Sequence, residues 1–419
     1  MKYCARCLYP ATHPLHITFD DDGVCSGCRI HEEKDVLDWQ ERAEKLKEIF
    51  AQFRYQRGSG YDCIIPVSGG KDSYFIVHTV KNVFGMNPLL VSYNKQYNTS
   101  VGIRNYAYLK TLFDCDAFQK TVSPELAKKI TRYTLEKKAS IYWHILAGQT
   151  VLPVQVAVQY KIPLIVWGAH QGCDQVGMFS HLDEVEMTRK YRKDHDLMGL
   201  EAEDIVRDSG DITEAEMTPF RYPDDKEIEA VGVRGIYLNN YIRWDSKAQH
   251  EDMIRLYGYE TALQQMTFDT YNDIDCFHYS GLHDYIKYIK HGYGKATDHA
   301  CREIRLKRLT REEGLELVKK YSGLMPTDIP LFLDWLGISE TELFGYLNRF
   351  RNPQFWRQVD DDKWELHAHV DPAWVDQTQV DRARLQKQDG CEFSLTPHRK
   401  SEVPGDRYTL IGRGFVDPS

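Results

Sequence analysis

Residues Ser68-Gly69-Gly70-Lys71-Asp72-Ser73 constrain the fold of this chain more than any other stretch. They follow a short apolar run, Cys63-Ile64-Ile65-Pro66-Val67, and precede a helical stretch over 74–83. Strand, glycine turn and helix is the geometry that sets backbone N–H groups and a helix N-terminus against a polyphosphate. Gly69 and Gly70 permit a tight turn and close approach of backbone to ligand. Ser68 and Ser73 add hydroxyl donors, Lys71 a positive charge, and Asp72 a carboxylate suited to Mg²⁺. The spacing is not that of the Walker loop, which needs a longer spacer between its glycines.

The flanking pattern extends this unit. Strands read over 64–67, 89–93, 117–122 and 163–167 alternate with helices over 101–113, from Pro124 at a first helical position, and over 141–160. Pro66 is placed near a strand exit, since it has no N–H for a central ladder. The alternation predicts an α/β fold with a doubly wound parallel sheet and ligands at the carboxyl ends of its strands. That brings Ser68–Ser73, Ser92–Asn94 and Gly168–Asp174 to one edge. A helix is expected over 31–54, with Val36, Trp39, Ala43, Leu46, Ile49, Phe50 and Phe53 on one stripe. Segment 171–230 is acidic and irregular and reads as an insertion: a lid, a partner surface or a solvated excursion. A strand is expected over 235–244. Beyond it the chain turns helical, with capping boxes at Thr310-x-x-Glu313 and Ser339-x-x-Glu342.

A chain of 419 residues is too long for one ordinary core. The reading divides it into a zinc ribbon over 1–30, a helix and linker over 31–60, a nucleotide-binding domain over 61–245 with the insertion 171–230, and a mostly helical substrate or partner region over 246–419. With 42% hydrophobic and 27% charged residues it is a folded protein rather than a disordered one. No apolar run is long enough to span a bilayer and the first residues hold no apolar signal segment, so a cytoplasmic location without a membrane span is expected. The net charge of −9 argues against a nucleic-acid partner bound mainly through phosphates. Of ten cysteines, Cys4-x2-Cys7 and Cys25-x2-Cys28 have the spacing of two metal knuckles. Four sulfur ligands leave no open position, so the site is expected to be structural. Zinc is favoured, with iron–sulfur as the alternative.

The Ser68–Ser73 loop resembles the SGGxDS loop of the PP-loop ATP pyrophosphatases, whose fold is adenine nucleotide alpha-hydrolase-like. Three further features narrow the resemblance: the ribbon before the loop, Phe268-Asp-Thr-Tyr-Asn-Asp-Ile-Asp-Cys-Phe-His278, and the long segment His283 to Arg305. Together they are similar to the N-acetyl sugar amidotransferases of lipopolysaccharide, O-antigen and nonulosonic acid biosynthesis. The resemblance implies ATP, Mg²⁺ and a structural Zn²⁺. It implies conversion of a sugar acetamido group to acetamidino through an adenylated imidate. It also implies ammonia from separate glutaminase and ammonia-channel subunits, similar to the histidine-biosynthesis pair.

On this resemblance Ser68, Gly69, Gly70, Lys71, Asp72, Ser73, Ser92, Tyr93, Gly168 and His170 are expected around ATP, with Asp72 and Asp174 at Mg²⁺. Asn272, Asp273, Asp275, Lys295, Asp298 and Arg302 are expected at the sugar, and Ser68, Lys71, Asp72 and His278 in the chemistry. Asp298, Arg302 and Arg305 share one helix face. There, Arg302 and Arg305 are read as a clamp for a carboxylate or pyrophosphate, or as a surface ion-pair ladder. Two other functions compete. One is a PP-loop tRNA thiolation enzyme, which would use Cys173. The other is a non-catalytic ATP-binding scaffold.

Overall fold

The computed structural model of the protein describes residues 3–54, 60–276, 281–360, 363–367, 387–388, 390–391 and 393–394. Its first part is a small ribbon with bridges Tyr3↔Pro10 and Phe19↔Cys25, leading into α1 (Ser26–Glu33) and α2 (Trp39–Phe53). The single helix expected over 31–54 is therefore two. Asp38 causes the break: its carboxylate accepts the Gln40 and Glu41 N–H groups, both at 3.0 Å, and starts α2 afresh. Val36, counted on the apolar stripe, lies in the connector and is 82% exposed.

Five strands follow: β1 (Cys63–Pro66), β2 (Pro88–Tyr93), β3 (Ala117–Lys120), β4 (Leu164–Trp167) and β5 (Arg234–Tyr237). All pair in parallel, in the order β3-β2-β1-β4-β5. Side chains alternate across this sheet. Ile64 and Ile165 enter one core, while Cys63, Ile65, Leu164 and Val166 enter the other. α3 (Lys71–Val77, prolonged as a π-helix over His78–Val83) and α4 (Ser100–Leu112) cover the second face. α5 (Pro124–Lys138) and α6 (Trp143–Tyr160) cover the first. The sheet is doubly wound, as expected. The strand order reverses between β1 and β4, and their carboxyl ends open the crevice where such sheets bind ligands.

The insertion is no solvated excursion. It folds as short helical pieces, the longest being Ala202–Ser209, with capping boxes at Glu201, Thr213 and Asp224. Leu197, Leu200, Ala202, Ile205, Ile212, Met217 and Phe220 are buried in the core that α6 also enters. The strand expected over 235–244 stops at Tyr237, where a 3-10 turn, Leu238–Asn240, takes over. The remaining helices include Ser246–Tyr257, Leu282–His291, Lys295–Arg305, Arg311–Tyr321, Ile329–Leu336 and Glu340–Asn348. Both capping boxes read from the sequence are formed, at Thr310 and at Ser339. A hairpin of β6 (Trp356–Asp360) and β7 (Lys363–Leu366) follows. Among the described residues no single helix is long and apolar enough to cross a membrane.

Candidate active site

Six residues at the end of β1 build the first wall of the site. Gly69 adopts φ +85°, and a Cβ there would lie 2.7 Å from Tyr106 Cβ, so only glycine fits. The loop is tied by its own hydroxyls: Ser68 N–H donates to Ser73 Oγ at 3.0 Å, and Gly70 N–H to Ser68 Oγ at 3.2 Å. Gly70 then caps α3 without a side chain, leaving the helix N-terminus open. Lys71 is buried, pairs with Asp72 and lies 6.0 Å from the Tyr271 ring centroid. Asp72 is half exposed. Backbone donors, a helix start and a lysine suit a polyphosphate.

Ser68, Lys71, Asp72 and Ser73 line a cavity of about 490 Å³ at the strand reversal, while Gly69 and Gly70 shape the loop behind them without lining it. Its floor is Val91 and Tyr93 of β2, Gln149, Thr150 and Pro153 of α6, and Trp167 and Gly168 at the end of β4. Ser92 is buried and does not line it. Asp174 lines it but pairs with the buried Lys34. Burial pushes the Asp174 carboxyl up; the Lys34 ammonium more than offsets this and holds it below the usual carboxylate range. His170 faces a smaller neighbouring cavity instead.

The facing wall comes from far along the chain. Asn272, Asp273, Lys295, Asp298, His299, Arg302 and Arg305 all line the same cavity. Lys295 Nζ is 3.1 Å from Asp273, whose backbone has φ +55°. Arg302 donates to Asp269 at 2.8 Å and to the Tyr271 hydroxyl at 2.9 Å, and pairs with Glu303 at 2.7 Å. Asp269 is fully buried and also accepts the Tyr271 and Asn272 N–H groups at 2.8 and 2.9 Å. Burial pushes its carboxyl up, and Arg302 with the two N–H donors brings it well below the usual range. Burial also holds His299 to about 4, neutral near pH 7, so Arg302 is the charge that Asp269 meets. Asp275 stands behind the loop, paired with Lys95 at 2.5 Å, and does not line the cavity. His278 lies outside the described residues.

The ribbon closes one end. Tyr9 lines the cavity and donates to Asp298 at 2.9 Å; Gln175 donates to the same oxygen at 3.0 Å, and Lys287 pairs with the other. The Sγ atoms of Cys4, Cys7, Cys25 and Cys28 are buried and all within 4.8 Å of one another. Cys4 and Cys28 are 3.9 Å apart, Cys7 and Cys25 3.7 Å. A tetrahedron of Zn–S bonds of about 2.3 Å has edges of about 3.8 Å, so the four thiols fit zinc. A disulfide needs about 2.05 Å. Arg305 does not clamp a ligand freely. Its guanidinium donates to Cys25 Sγ at 3.5 Å and to Gln175 O at 2.6 Å, and lies over the Tyr9 ring at 5.1 Å. Gly27 makes room for it, since a Cβ there would sit 2.3 Å from Nη2. Arg305 is therefore a buried structural partner, and Arg302, 18% exposed at the cavity, is tied to the buried Asp269 and Glu303; neither is a rung of a surface ladder. Sequence reasoning missed Tyr9, Lys34, Asp269, Gln175 and His299, whose roles depend on partners more than a hundred residues away or on burial.

Every lining side chain of the facing wall falls in one matched segment. Residues 265–371 match the family model described as LPS biosynthesis protein WbpG-like, C-terminal domain. The segment is similar to that domain, and the match covers about a quarter of the chain. The WbpG-like domain thus supplies the wall opposite the glycine loop. The uncharacterized protein MJ1599 of Methanocaldococcus jannaschii is 28% identical over 105 residues, 24% of this chain. The chain spans 36% of the length of that relative. Among solved structures, the NH3-dependent NAD synthetase of Campylobacter jejuni is 13% identical, with a TM-score of 0.28, covering 46% of this chain and 92% of its own. The NMN synthetase of Francisella tularensis is 14% identical, with a TM-score of 0.25, covering 52% of this chain and 86% of its own. The fold assignment rests on the strand order of the sheet, not on these two likenesses.

Proposed function

We propose that the protein is an ATP-dependent enzyme of lipopolysaccharide or nonulosonic acid biosynthesis that converts a sugar acetamido group to acetamidino. The observation that carries this reading is the shared cavity: the Ser68–Ser73 loop forms one wall and the WbpG-like domain the other. An amide oxygen is a poor leaving group. In this reading it attacks the α-phosphorus of ATP, and pyrophosphate departs. Ammonia then attacks the imidate carbon, AMP departs with the former amide oxygen, and a proton is lost.

The loop N–H groups, Ser68, Ser73 and Lys71 would hold the phosphates, pre-organised donors in a partly enclosed site. Asp72, half exposed beside them, is the carboxylate that suits Mg²⁺, which would shield charge between phosphates. Asp174 is paired with Lys34 as Asp72 is with Lys71, and is the less suited because it is the less exposed of the two, 20% against 49%. Asn272, Asp273, Lys295 and Arg302 offer donors and acceptors to sugar hydroxyls. Ammonia would come from separate glutaminase and channel subunits. The tRNA thiolation reading loses support at Cys173, which is 1% exposed and whose thiol burial pushes up to about 12. Such a thiol is a poor nucleophile near neutral pH.

The test is mass spectrometry of N-acetylated nucleotide sugars and nonulosonic acids incubated with the protein, Mg-ATP and an ammonium salt. Replacement of O by NH with stoichiometric AMP is expected. Unchanged sugars with intact ATP would overturn the reading. Asp72→Ala and Ser68→Ala should abolish AMP release while leaving the melting temperature within a few degrees of the parent.

A further inference from the structure

A second cavity, of about 150 Å³, opens beside the first. The two share Thr150, Trp167, Ala169 and Gln171, whereas no residue of the Ser68–Ser73 loop lines the smaller one. Its own lining includes His170 and six residues of the insertion: Met187, Thr188, Tyr191, Arg192, Asp196 and Tyr222. Tyr237 of β5 completes an aromatic wall, with its ring 4.6 Å from His170, which in turn lies 4.3 Å from Tyr191.

Among the described residues, three N–H groups of this wall are left without a partner. Arg192 is 4% exposed. Its Nη1 meets Glu201 at 3.0 Å and its Nε meets Thr150 at 3.1 Å, but Nη2 has no partner. Trp167 Nε1 has none either. His170 Nδ1 accepts the Gly172 N–H at 3.1 Å, so in the neutral ring the proton sits on Nε2, and that N–H finds no acceptor. Burial holds the ring to about 4, which keeps it neutral. Against these three donors stands one carboxyl, Asp196, in the same lining. Burial raises it to about 7. A buried polar group without a partner is costly, and such groups cluster where a ligand completes them.

The set selects a ligand. A phosphate or carboxylate would gain little, because Glu201 already neutralises Arg192 and Asp196 would repel it. A plain hydroxyl would leave the aromatic wall unused. We propose that this cavity seats an acylamino group: its carbonyl oxygen takes the orphan N–H donors, its N–H meets Asp196, and its short alkyl end lies on Tyr191, Tyr237 and Met187. The insertion is then the specificity element of the site. The group held there is remote from the glycine loop and is not the one that reacts. That the acylamino group belongs to a sugar rests on the function proposed above; the pocket itself does not.

Saturation-transfer NMR on the full chain without nucleotide separates the two. N-Acetylglucosamine is the probe, with glucose and glucosamine as controls. The acetyl methyl should receive the strongest saturation, and both controls should receive little. Asp196→Asn should weaken binding by about five-fold, the size of one neutral hydrogen bond. Met187→Trp, which fills the cavity without touching the loop, should remove the signal. No methyl signal from the parent protein, or one that survives both substitutions, overturns the proposal. AMP release and amidination with an unchanged methyl signal in both variants would leave the reaction standing and the pocket refuted. Methyl binding that the variants remove, with no AMP formed from any sugar, would do the reverse.

Discussion

Gly69 and Gly70 look alike in the sequence and differ in the fold. At Gly69 the left-handed backbone and the Tyr106 contact both forbid a side chain. Gly69→Ala should lower stability by about 1–3 kcal/mol and abolish AMP release, read by thermal melting and nucleotide chromatography. At Gly70 the backbone has φ −75°, and a Cβ would meet Ser68 Oγ at 3.2 Å. Gly70→Ala should melt close to the parent and lose activity only as far as Ser68 is displaced. The glycine loop was legible from residues alone because strand, turn and helix are local. Asp269 was not, although it lies inside a segment singled out from the sequence. Its meaning comes from Arg302, thirty-three positions on, and from complete burial. Asp275 shows the converse: the residue type suggested a sugar contact, while Lys95 holds it behind the loop.

At the scale of elements, caps and ligands decide boundaries. Asp38 splits what an apolar stripe alone reads as one helix, and the signal was present in the residue before Trp39. The short helices of 171–230 gave no periodic signal, since pieces of three to eight residues hold too few turns to show one. Their burial was legible only in the fold. Thr310→Ala should remove a reciprocal cap and cost about 1 kcal/mol, seen as a lower urea midpoint at unchanged slope. Cys25→Ser should strip the ribbon of metal, read by atomic emission, and lower the melting temperature. Because Arg305 and Tyr9 tie the ribbon to the cavity, the same variant should weaken nucleotide binding at a site it does not touch. Unaltered nucleotide affinity in a metal-free protein would contradict that link.

The whole molecule buries many ionisable groups, and this sets its response to acid. Burial holds His13 and His250 to about 3 and His181 and His299 to about 4, against an ordinary 6.5. Between those values the unfolded chain binds protons that the folded chain does not. Stability is therefore full above pH 6.5 and falls below it, by up to about 1.4 kcal/mol per pH unit for each group. Asp196 and Asp284, raised to about 7 and about 6, pull the other way over the same range but are fewer. Below pH 4 the depressed carboxyls Asp174, Asp269 and Asp298 add to the loss. Melting temperature should decline steadily from pH 7 to pH 4, and His250→Gln should make the decline shallower. The ribbon carries one more consequence. Leu8 N–H bonds to Cys301 Sγ, 293 residues later, and Arg311 reaches back to the Cys7 carbonyl. At ribosomal speeds that interval lasts roughly 15–60 s. During synthesis the first thirty residues wait that long for the helices they dock against, and a metal on Cys4, Cys7, Cys25 and Cys28 would be what holds them together meanwhile. Limiting metal during translation should then lower the yield of folded protein.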